Sequence, residues 1–296
     1  LVGGIGAIGG YFAASDLSAL LQPIFGWRIM WFLNLPSGLI LIGLSPLLPE
    51  SARFLQPVGR IDEAHAVLAR FGAVARPADD VDEDAGGHAP LPPPGYLGTT
   101  TALTLAALSW GLVNFGLLLW LPSELVAEGH SVGLSSAIIA KSTLIAAPTI
   151  LISTYAYSAW STKGSLIAML GITAMGLLGI LLRGLGLFPI LANPVVPLVL
   201  LIIGSTGVIS MILPYTAENY PVKVRGRATG WIAGCSKIGG LIAQGLSALA
   251  LVPAIGSAAI VIAVPAVLSL LLIARFGRET KGRDLRDLER RVRPAG

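Results

Sequence analysis

The sequence predicts an all-α integral membrane protein with about eight membrane-spanning helices, each a run of roughly 20 mainly apolar residues. Three observations support this fold class. Hydrophobic residues make up 54% of the 296 residues and charged residues only 12%, whereas soluble domains carry about 25% charged residues. Apolar runs long enough to cross a bilayer recur along the chain. Cation-rich segments separate several of these runs, as in the cytoplasmic loops of membrane proteins.

The predicted spans are joined by connections of very different charge. The expected limits of the spans are 1–21, 30–48, 98–121, 134–157, 165–184, 187–215, 228–252 and 254–274. Cations lie between alternate spans, in 49–97, at Lys163, in 223–227 and in the tail after 274. Because Lys and Arg are retained on the cytoplasmic side, we expect the long loop and the C-terminus in the cytoplasm. The expected location is a plasma membrane of the bacterial inner-membrane type.

Composition excludes several classes of function. The net charge of +4 is spread over loops and the tail, so nucleic acid is not an expected partner. The only cysteine, Cys235, permits no internal disulfide and no multi-cysteine metal site. His65, His88 and His130 lie in loops and do not converge by their spacing into a ligand or catalytic set, so no enzyme, metal or cofactor is predicted.

Several motifs resemble those of the major facilitator superfamily, especially its sugar porters and metabolite–proton symporters. The most informative is ENYPVKVRGRATGWIAGCSKIGG at 218–240, followed by LPESARFL at 48–55 and FGRETKG at 276–282, where Arg278 replaces a proline. GWRIMWFLNLPSGLILIG at 26–43 resembles the sixth helix of that family, and the glycine-rich GGIGAIGG at 3–10 resembles its fifth.

This resemblance implies an alignment to helices five to twelve of a twelve-helix fold, with helices one to four absent from this chain. Residues 1–49 would be the remnant of the N-terminal helix bundle. Residues 50–97 would form a cytoplasmic loop with a short amphipathic helix at 61–71 and a flexible acidic and proline-rich linker. Residues 98–275 would form the C-terminal six-helix bundle and 276–296 a cytoplasmic tail. In this fold the substrate binds near the midplane between the two halves.

Three charged residues lie well inside predicted spans, where a charge costs at least ~2.5 kcal/mol and therefore indicates function. Lys237 is close to the middle of its span and would attract an anion or pair with a titrating carboxylate. Asp16 could titrate with proton movement, or it could cap or pair near the end of its helix. Lys141 is near enough to a helix end for its ammonium to extend towards water, so a position without any role in transport explains it equally well.

Uncharged polar side chains add weaker candidates for substrate contact or coupling. Trp110 and Asn114 are four residues apart and share a helix face. Tyr215, Ser210 and Gln244 lie in later spans. Hydrogen bonding between helices would explain these residues equally well.

The resemblance also implies a gating network at the cytoplasmic side. Its candidate members are Glu218 and Arg225, together with Glu50 and Arg53 of the LPESARFL motif. A salt bridge made in one state and broken in the other would bias the exchange between them. The turn SAWSTKGSL at 158–166 departs from the family pattern, because the acid expected there is missing.

The resemblance and the buried charges together predict a secondary active transporter working by alternating access. Two buried lysines against one buried acid favour proton-coupled symport of a small organic acid or related polar metabolite. A sugar–proton symporter, a drug efflux carrier and a non-transporting fragment remain alternatives. The expected partners are a small-molecule substrate, protons and the lipid bilayer, and a monomer is expected.

Overall fold

The structure is a computed structural model that describes part of the chain. The described residues are 21, 24–26, 28–47, 49–50, 52–55, 59–72, 95–127, 129, 142, 144–146, 148–184 and 193–282. They form helices joined by turns, with no β-strand among them. The predicted all-α fold is confirmed. Asp16, Lys141, the glycine-rich run 3–10 and the linker 76–94 lie outside the described residues.

The described residues belong to two compact units, one within 6–87 and the other from 88 onward. The first unit contains α1 (Ile29–Phe32), α2 (Asn34–Leu44), the 3₁₀ turn Ser45–Leu47, α3 (Ala52–Leu55) and α4 (Ile61–Arg70). Leu55 of α3 and Ala64 of α4 are fully buried, so these two short helices pack together. Arg60 and Glu63 form an exposed ion pair at the start of α4 with an N–O distance of 2.6 Å.

The second unit is a bundle of longer helices. It contains α5 (Leu97–Leu112), the π-turn Val113–Leu117, α6 (Leu118–Ala127), α7 (Thr149–Tyr155), the π-turn Ala156–Trp160, α8 (Thr162–Gly184), α9 (Val195–Asn219), α10 (Val222–Ala248) and α11 (Ile255–Phe276). Within the described part of the chain, four stretches are long and apolar enough to cross a membrane: Leu97–Ala127, Thr162–Arg183, Val195–Asn219 and Ile255–Phe276. The 27 residues of α10 are also long enough, but cations and glycines make this helix less apolar.

Apolar side chains from these helices form two main buried clusters in the second unit. The first joins α5, α8, α9, α10 and α11 through residues that include Leu103, Leu166, Met211, Ile232 and Ile273. The second includes Val113, Leu117, Leu177, Leu201 and Ile262. Full burial of one such side chain stabilises a packed state by about 1.5–3 kcal/mol relative to exposure in water. Between helices within lipid, the same contacts act through close packing.

Two helix starts differ from the predicted spans. α10 begins at Val222 rather than near 228, directly after Pro221, whose φ of −56° and ψ of 149° end the preceding extended segment. Arg225 and Arg227 therefore lie within the first two turns of a helix rather than in a loop. α9 begins at Val195 rather than near 187, where Asn193 Oδ1 accepts a hydrogen bond of 3.0 Å from the Val195 N–H.

Candidate functional site

Lys237 occupies the middle of α10. It stands fifteen residues after Val222 and eleven before Ala248, which is about 22 Å and 16 Å from the two helix ends at 1.5 Å per residue. The face of α10 that carries Lys237 is exposed in this chain. Lys237 thus lies near the middle of this helix, and its depth in a membrane stays a prediction.

Two aromatic rings lie beneath the Lys237 ammonium, one in α5 and one in the π-turn that follows it. The Nζ atom is 5.2 Å from the centroid of the Phe115 ring and 5.8 Å from that of the Trp110 ring. The two rings are perpendicular, with centroids 5.8 Å apart. Aromatic faces attract cations through their negative quadrupole. Lys237, Trp110 and Phe115 are called the cation–aromatic cluster below.

The cation–aromatic cluster contains two donors without acceptors. Lys237 forms no ion pair with any carboxylate among the described residues. The Trp110 Nε1–H is buried and has no hydrogen-bond partner in the same part of the chain. A buried donor left unpaired costs about 1–3 kcal/mol. The cluster therefore has unused capacity for an acceptor, and an anion is the group that complements it.

Two amide side chains next to the cluster donate hydrogen bonds to the main-chain carbonyls of its two aromatic residues. Asn114 Nδ2 donates to the Trp110 carbonyl at 3.0 Å, and Gln244 Nε2 donates to the Phe115 carbonyl. Phe115 lies within the π-turn Val113–Leu117, where the regular α-helical hydrogen-bond pattern is interrupted. Gln244 thus binds across from α10 to the irregular turn that positions Phe115.

Glycines allow α5 and α10 to cross closely at this point. A Cβ on Gly239 would lie 2.5 Å from the Leu108 carbonyl oxygen, and one on Gly240 would lie 2.7 Å from the Phe115 ring. A Cβ on Gly111 would meet the carbonyl of Ser236. Because no side chain separates the backbones, Lys237 is held within reach of the two rings.

The exposed face of α10 offers open space beside Lys237. Gly230 and Gly234 lie one and two turns towards the start of the helix on that face, and a Cβ on either would meet no atom within 4 Å. This part of the α10 face is therefore not covered by other described residues of the second unit.

Tyr215 lies in a different part of the bundle. Its side chain is fully buried, and its hydroxyl donates to the Arg278 carbonyl at 2.8 Å. The structure therefore places it with the residues around the end of α11 and not in the cation–aromatic cluster. Tyr215 therefore serves the packing of the bundle, because its ring is buried and its one hydroxyl is bonded to the chain. Ser210 similarly bonds within its own helix, to the Gly207 carbonyl at 2.8 Å.

Glu218 lies near the end of α9 and accepts two hydrogen bonds. Its Oε2 atom is 2.8 Å from the Tyr157 hydroxyl and 2.6 Å from the Thr280 hydroxyl. The hypothesised partner Arg225 donates from Nε to the Tyr220 carbonyl at 3.3 Å. In the state that the structure represents, Glu218 is thus held by hydroxyl groups, and gating through these residues stays a prediction.

A second carboxylate, Glu279, sits at the start of α8. Its Oε1 atom accepts from the Thr162 N–H at 3.0 Å and the Thr162 hydroxyl at 2.5 Å, and its Oε2 atom accepts from Ser161. An anion at a helix N-terminus is favoured by the helix dipole. Partial burial disfavours the charged form. The hydrogen bonds outweigh burial and lower the pKa of Glu279 to about 2.

Glu279 supplies the acid that the turn at 158–166 lacks in the sequence. The residue arrives from the segment after α11, more than 110 positions along the chain. Thr162 and Thr280 join the two carboxylates, because the Thr280 N–H donates to the Thr162 hydroxyl at 3.1 Å. The hydroxyl–carboxylate cluster, as it is called below, consists of Tyr157, Ser161, Thr162, Glu218, Glu279 and Thr280.

The last turn of α11 and the segment that follows it are held by further contacts. Lys163 Nζ donates to the Ala274 carbonyl at 2.8 Å, and Thr99 donates to the Phe276 carbonyl at 3.1 Å. Arg278 Nη1 donates to the Tyr96 hydroxyl at 3.1 Å, with its guanidinium 4.6 Å from the Tyr96 ring centroid. Arg278, which departs from the proline of the family pattern, thus connects the start of α5 to the end of α11.

Two predicted gating residues lie in the first unit. Glu50 is exposed, and Arg53 falls within α3, of which only the backbone is described at that position. Sequence reasoning missed Phe115 and Glu279. No sequence signal distinguishes Phe115, because its position depends on a π-turn. Glu279 belongs to a recognised motif, but its partner Thr162 could be found only from the fold.

Four apolar stretches that are long enough to cross a bilayer, packed in one bundle, are the architecture of a multi-pass membrane protein. The chain belongs to the Major Facilitator Superfamily, whose family model matches residues 1–244.

Two curated relatives are transporters. The chain is 25% identical over 245 residues to the niacin transporter NiaP of Acinetobacter baylyi, covering 79% of this chain and 54% of the relative. It is 26% identical over 247 residues to the gentisate transporter of Corynebacterium glutamicum, covering 82% of this chain and 50% of the relative. The chain thus spans about half the length of these curated relatives.

Solved structures share the fold. The proton:xylose symporter XylE bound to 6-bromo-6-deoxy-D-glucose matches with a TM-score of 0.71 and 17% identity, over 97% of this chain and 64% of that chain. A double-tryptophan mutant of XylE matches over the same shares with a TM-score of 0.66 and 17% identity. At this level of identity the likeness establishes the fold.

Proposed function

We propose that the intact carrier is a secondary active transporter that moves a small organic acid together with a proton by alternating access. The observation that carries this proposal is Lys237, an ammonium at mid-depth of α10 with no carboxylate partner among the described residues. A cation at that depth is costly unless an anion complements it. An anionic substrate fulfils that requirement.

The curated relatives support an acidic substrate. Their names state niacin and gentisate as the molecules carried, and both of these are carboxylic acids. Each relative shares only about a quarter of its aligned residues with this chain, so the substrate class is a proposal for this protein.

Proton coupling is proposed to depend on Asp16. A carboxylate within a membrane span is costly as an anion, so protonation is favoured while it is inside the bilayer. Asp16 would bind the proton that accompanies the substrate anion. The proposal rests on the sequence, because Asp16 lies outside the described residues.

A sugar–proton symporter is the second candidate. The fold matches a structure named as a proton:xylose symporter, and the motifs at 48–55 and 276–282 resemble those of sugar porters. A neutral sugar would leave the Lys237 charge without an anion, which favours the organic acid.

The membrane orientation and the gate are proposed from the charge pattern. The cation-rich loops would place the C-terminus and the hydroxyl–carboxylate cluster on the cytoplasmic side of a plasma membrane. Glu218, Arg225, Glu50 and Arg53 would then act at the cytoplasmic gate. Labelling of a cysteine introduced into the tail, from the cytoplasmic face only, is the expected result for this orientation.

Uptake into proteoliposomes tests the proposed function. The intact carrier, expressed from its complete gene, is given benzoate, cyclohexanecarboxylate or xylose with an imposed inward proton gradient. We expect at least one acid to accumulate, accumulation to stop with a protonophore, and xylose to remain outside. In Asp16→Asn, exchange of the acid should continue while gradient-driven accumulation is lost. Accumulation of xylose with neither acid carried would establish the sugar alternative.

A further inference from the structure

We infer that the end of α11 binds an anionic phospholipid, whose phosphate lies on Lys163, Arg275 and Lys281 while one acyl chain follows an exposed apolar stripe of α11. These three cations are called the cationic junction below. The inference concerns the outer surface of the second unit. It rests on the placement of the chain in a membrane and does not depend on the substrate.

Two lysines of the cationic junction are held where α8 begins and α11 ends. Lys163, in the first turn of α8, donates from Nζ to the Ala274 carbonyl in the last turn of α11 at 2.8 Å. Lys281 donates from Nζ to the carbonyls of Ala159 and Trp160 just before α8, the latter at 3.3 Å. Lysines near helix ends commonly bind the last carbonyls in this way. Both ammonium groups are therefore fixed at one meeting point of two chain segments.

Arg275 adds a third cation at the same helix end. Its side chain is exposed in the last turn of α11, directly after the residue whose carbonyl binds Lys163. None of the three cations of the junction forms an ion pair among the described residues. An ammonium has three donors and a guanidinium five. The bonds from the lysines to carbonyls therefore leave donors that an anion can use.

The carboxylates near the cationic junction are Glu218 and Glu279 of the hydroxyl–carboxylate cluster. Both accept hydrogen bonds from hydroxyl groups of that cluster. Arg278 adds a fourth cation to this end of the bundle, beside the Tyr96 ring. Four cations against two carboxylates leave this end of the bundle positively charged, which attracts an anion.

An apolar stripe of α11 leads away from the cationic junction. Val264, Leu268 and Leu271 are 55%, 46% and 56% exposed. They precede Arg275 at intervals of three or four residues, so the four side chains share one helix face. The stripe from Val264 to Arg275 is about 16 Å long at 1.5 Å per residue, which is about half of the ~30 Å hydrocarbon thickness of a bilayer. Its length therefore fits one acyl chain in one leaflet.

A groove between α8 and α11 adjoins the far part of the stripe. It has a volume of about 250 Å³, and its lining residues, which include Leu178, Leu181, Ala263 and Val267, are all apolar. Ala263 and Val267 directly precede Val264 and Leu268 of the stripe. The end of an acyl chain that follows the stripe can therefore pack into the groove.

The cationic junction lies at the level where phospholipid headgroups are expected. Two stretches long enough to cross a membrane meet there, since one begins at Thr162 and the other ends at Phe276. Trp160 is 63% exposed and Phe276 is 46% exposed. Exposed aromatic rings at the ends of spans are typical of the membrane–water interface. Cations at this level favour an anionic headgroup, and each strengthens binding to an anionic surface roughly fivefold.

Two photoactivatable lipids with identical acyl chains test the inference. Phosphatidylglycerol and phosphatidylcholine, each with a diazirine in one acyl chain, are added in trace amounts to phosphatidylcholine vesicles that contain the intact carrier. Labelling of the α11 peptide that carries Leu268 and Leu271 is measured by mass spectrometry. We expect phosphatidylglycerol to label this peptide at least about fivefold more than phosphatidylcholine, the contribution of a single cation. Equal labelling by the two lipids overturns the inference.

Arg275→Gln tests the position of the phosphate. The guanidinium lies over the neighbouring Phe276 ring, so its removal should leave the fold intact and lower the preference for phosphatidylglycerol about fivefold. Arg275→Lys should retain the preference. Arg227→Gln is the matched control, because it removes an exposed cation from α10 and should leave the preference unchanged. An equal loss in Arg275→Gln and Arg227→Gln would mean a general attraction to the surface and no defined site.

Inorganic phosphate distinguishes a lipid from a free ion. At constant ionic strength, millimolar phosphate should not reduce labelling, because the ion lacks the acyl chain that the stripe binds. Loss of labelling would assign the cationic junction to free phosphate and overturn the lipid. The comparison of the two lipids uses the wild-type carrier, so it decides the question even if Arg275→Gln fails to fold. Transport is not measured, so equal labelling leaves the proposed organic acid transport in place.

Discussion

The two polar clusters of the second unit differ in how their hydrogen-bonding groups are used. In the hydroxyl–carboxylate cluster, Glu218 accepts two hydrogen bonds and Glu279 accepts four from donors within the chain. In the cation–aromatic cluster, Lys237 and the Trp110 N–H have no acceptor among the described residues. The first cluster joins ends of helices to one another, whereas the second retains two donors for which we have proposed an anionic partner.

This difference predicts which substitutions change the stability of the carrier and which change its transport. Removing a satisfied group leaves its partners unpaired and lowers the stability of the state that contains them. Removing an unsatisfied group costs the fold little, because no partner is lost. Substitutions in the hydroxyl–carboxylate cluster should therefore change stability first, whereas substitutions in the cation–aromatic cluster should change transport first.

The largest effect is expected for Lys237→Met, which removes the charge and keeps the length of the side chain. We expect kcat/KM for acid uptake to fall at least about 100-fold, since a charged contact in a low-dielectric site is lost. The melting temperature of the purified carrier should not fall. Lys237→Arg retains the charge and should recover part of the uptake.

Arg275 provides the control for Lys237. It also lies over an aromatic ring, with its guanidinium 5.4 Å from the Phe276 centroid, but at the end of α11. Arg275→Met should leave KM for the acid unchanged. Full uptake by Lys237→Met would remove the contrast between the clusters and, with it, the proposed anion site.

An intermediate effect is expected where the backbones of α5 and α10 touch. Gly239→Ala places a Cβ 2.5 Å from the Leu108 carbonyl oxygen, and such overpacking costs about 1–3 kcal/mol. Gly230→Ala makes the same chemical change on the same helix in open space. It should leave stability unchanged or raise it by up to about 1 kcal/mol, the helix propensity difference. Thermal unfolding in detergent compares the two, and equal melting temperatures would mean that the crossing is not tight.

The smallest effect is expected for Glu279→Gln and should depend on pH. The pKa of Glu279 is lowered to about 2 in the folded state, below its ordinary value of about 4.3. Its contribution to stability is therefore present above about pH 4.3 and is lost as the pH falls towards 2. The melting temperature of the variant should lie below that of the wild type at pH 7, and the gap should narrow at lower pH.

Glu124 is the matched control for Glu279, because its carboxylate makes no hydrogen bond within the described residues. Glu124→Gln should melt close to the wild type at pH 7. A Glu279→Gln variant with the melting temperature of the wild type would show that the hydroxyl–carboxylate cluster does not stabilise the bundle.

Sequence reasoning identified some members of each cluster. The position of Lys237 in an apolar run predicted that it lies near the middle of its helix. The spacing of four residues between Trp110 and Asn114 put these two side chains on a shared helix face. Phe115 escaped notice, because its ring reaches Lys237 only through a π-turn that periodicity assumes to be absent. Glu218 was found from its motif. Its partners Tyr157 and Thr280 could not be found, since they come from two other chain segments.

The amino-acid sequence by itself determined that this protein is helical, lies in a membrane and belongs to a transporter family. Those properties follow from local quantities, namely the length of apolar runs, the placement of cations and short motifs. Only the tertiary structure decided which polar and charged groups have a partner within the chain. Glu279 meets Thr162 and Lys237 meets Phe115 across more than 110 residues. Contacts at such separation depend on helix packing, which a linear pattern does not encode.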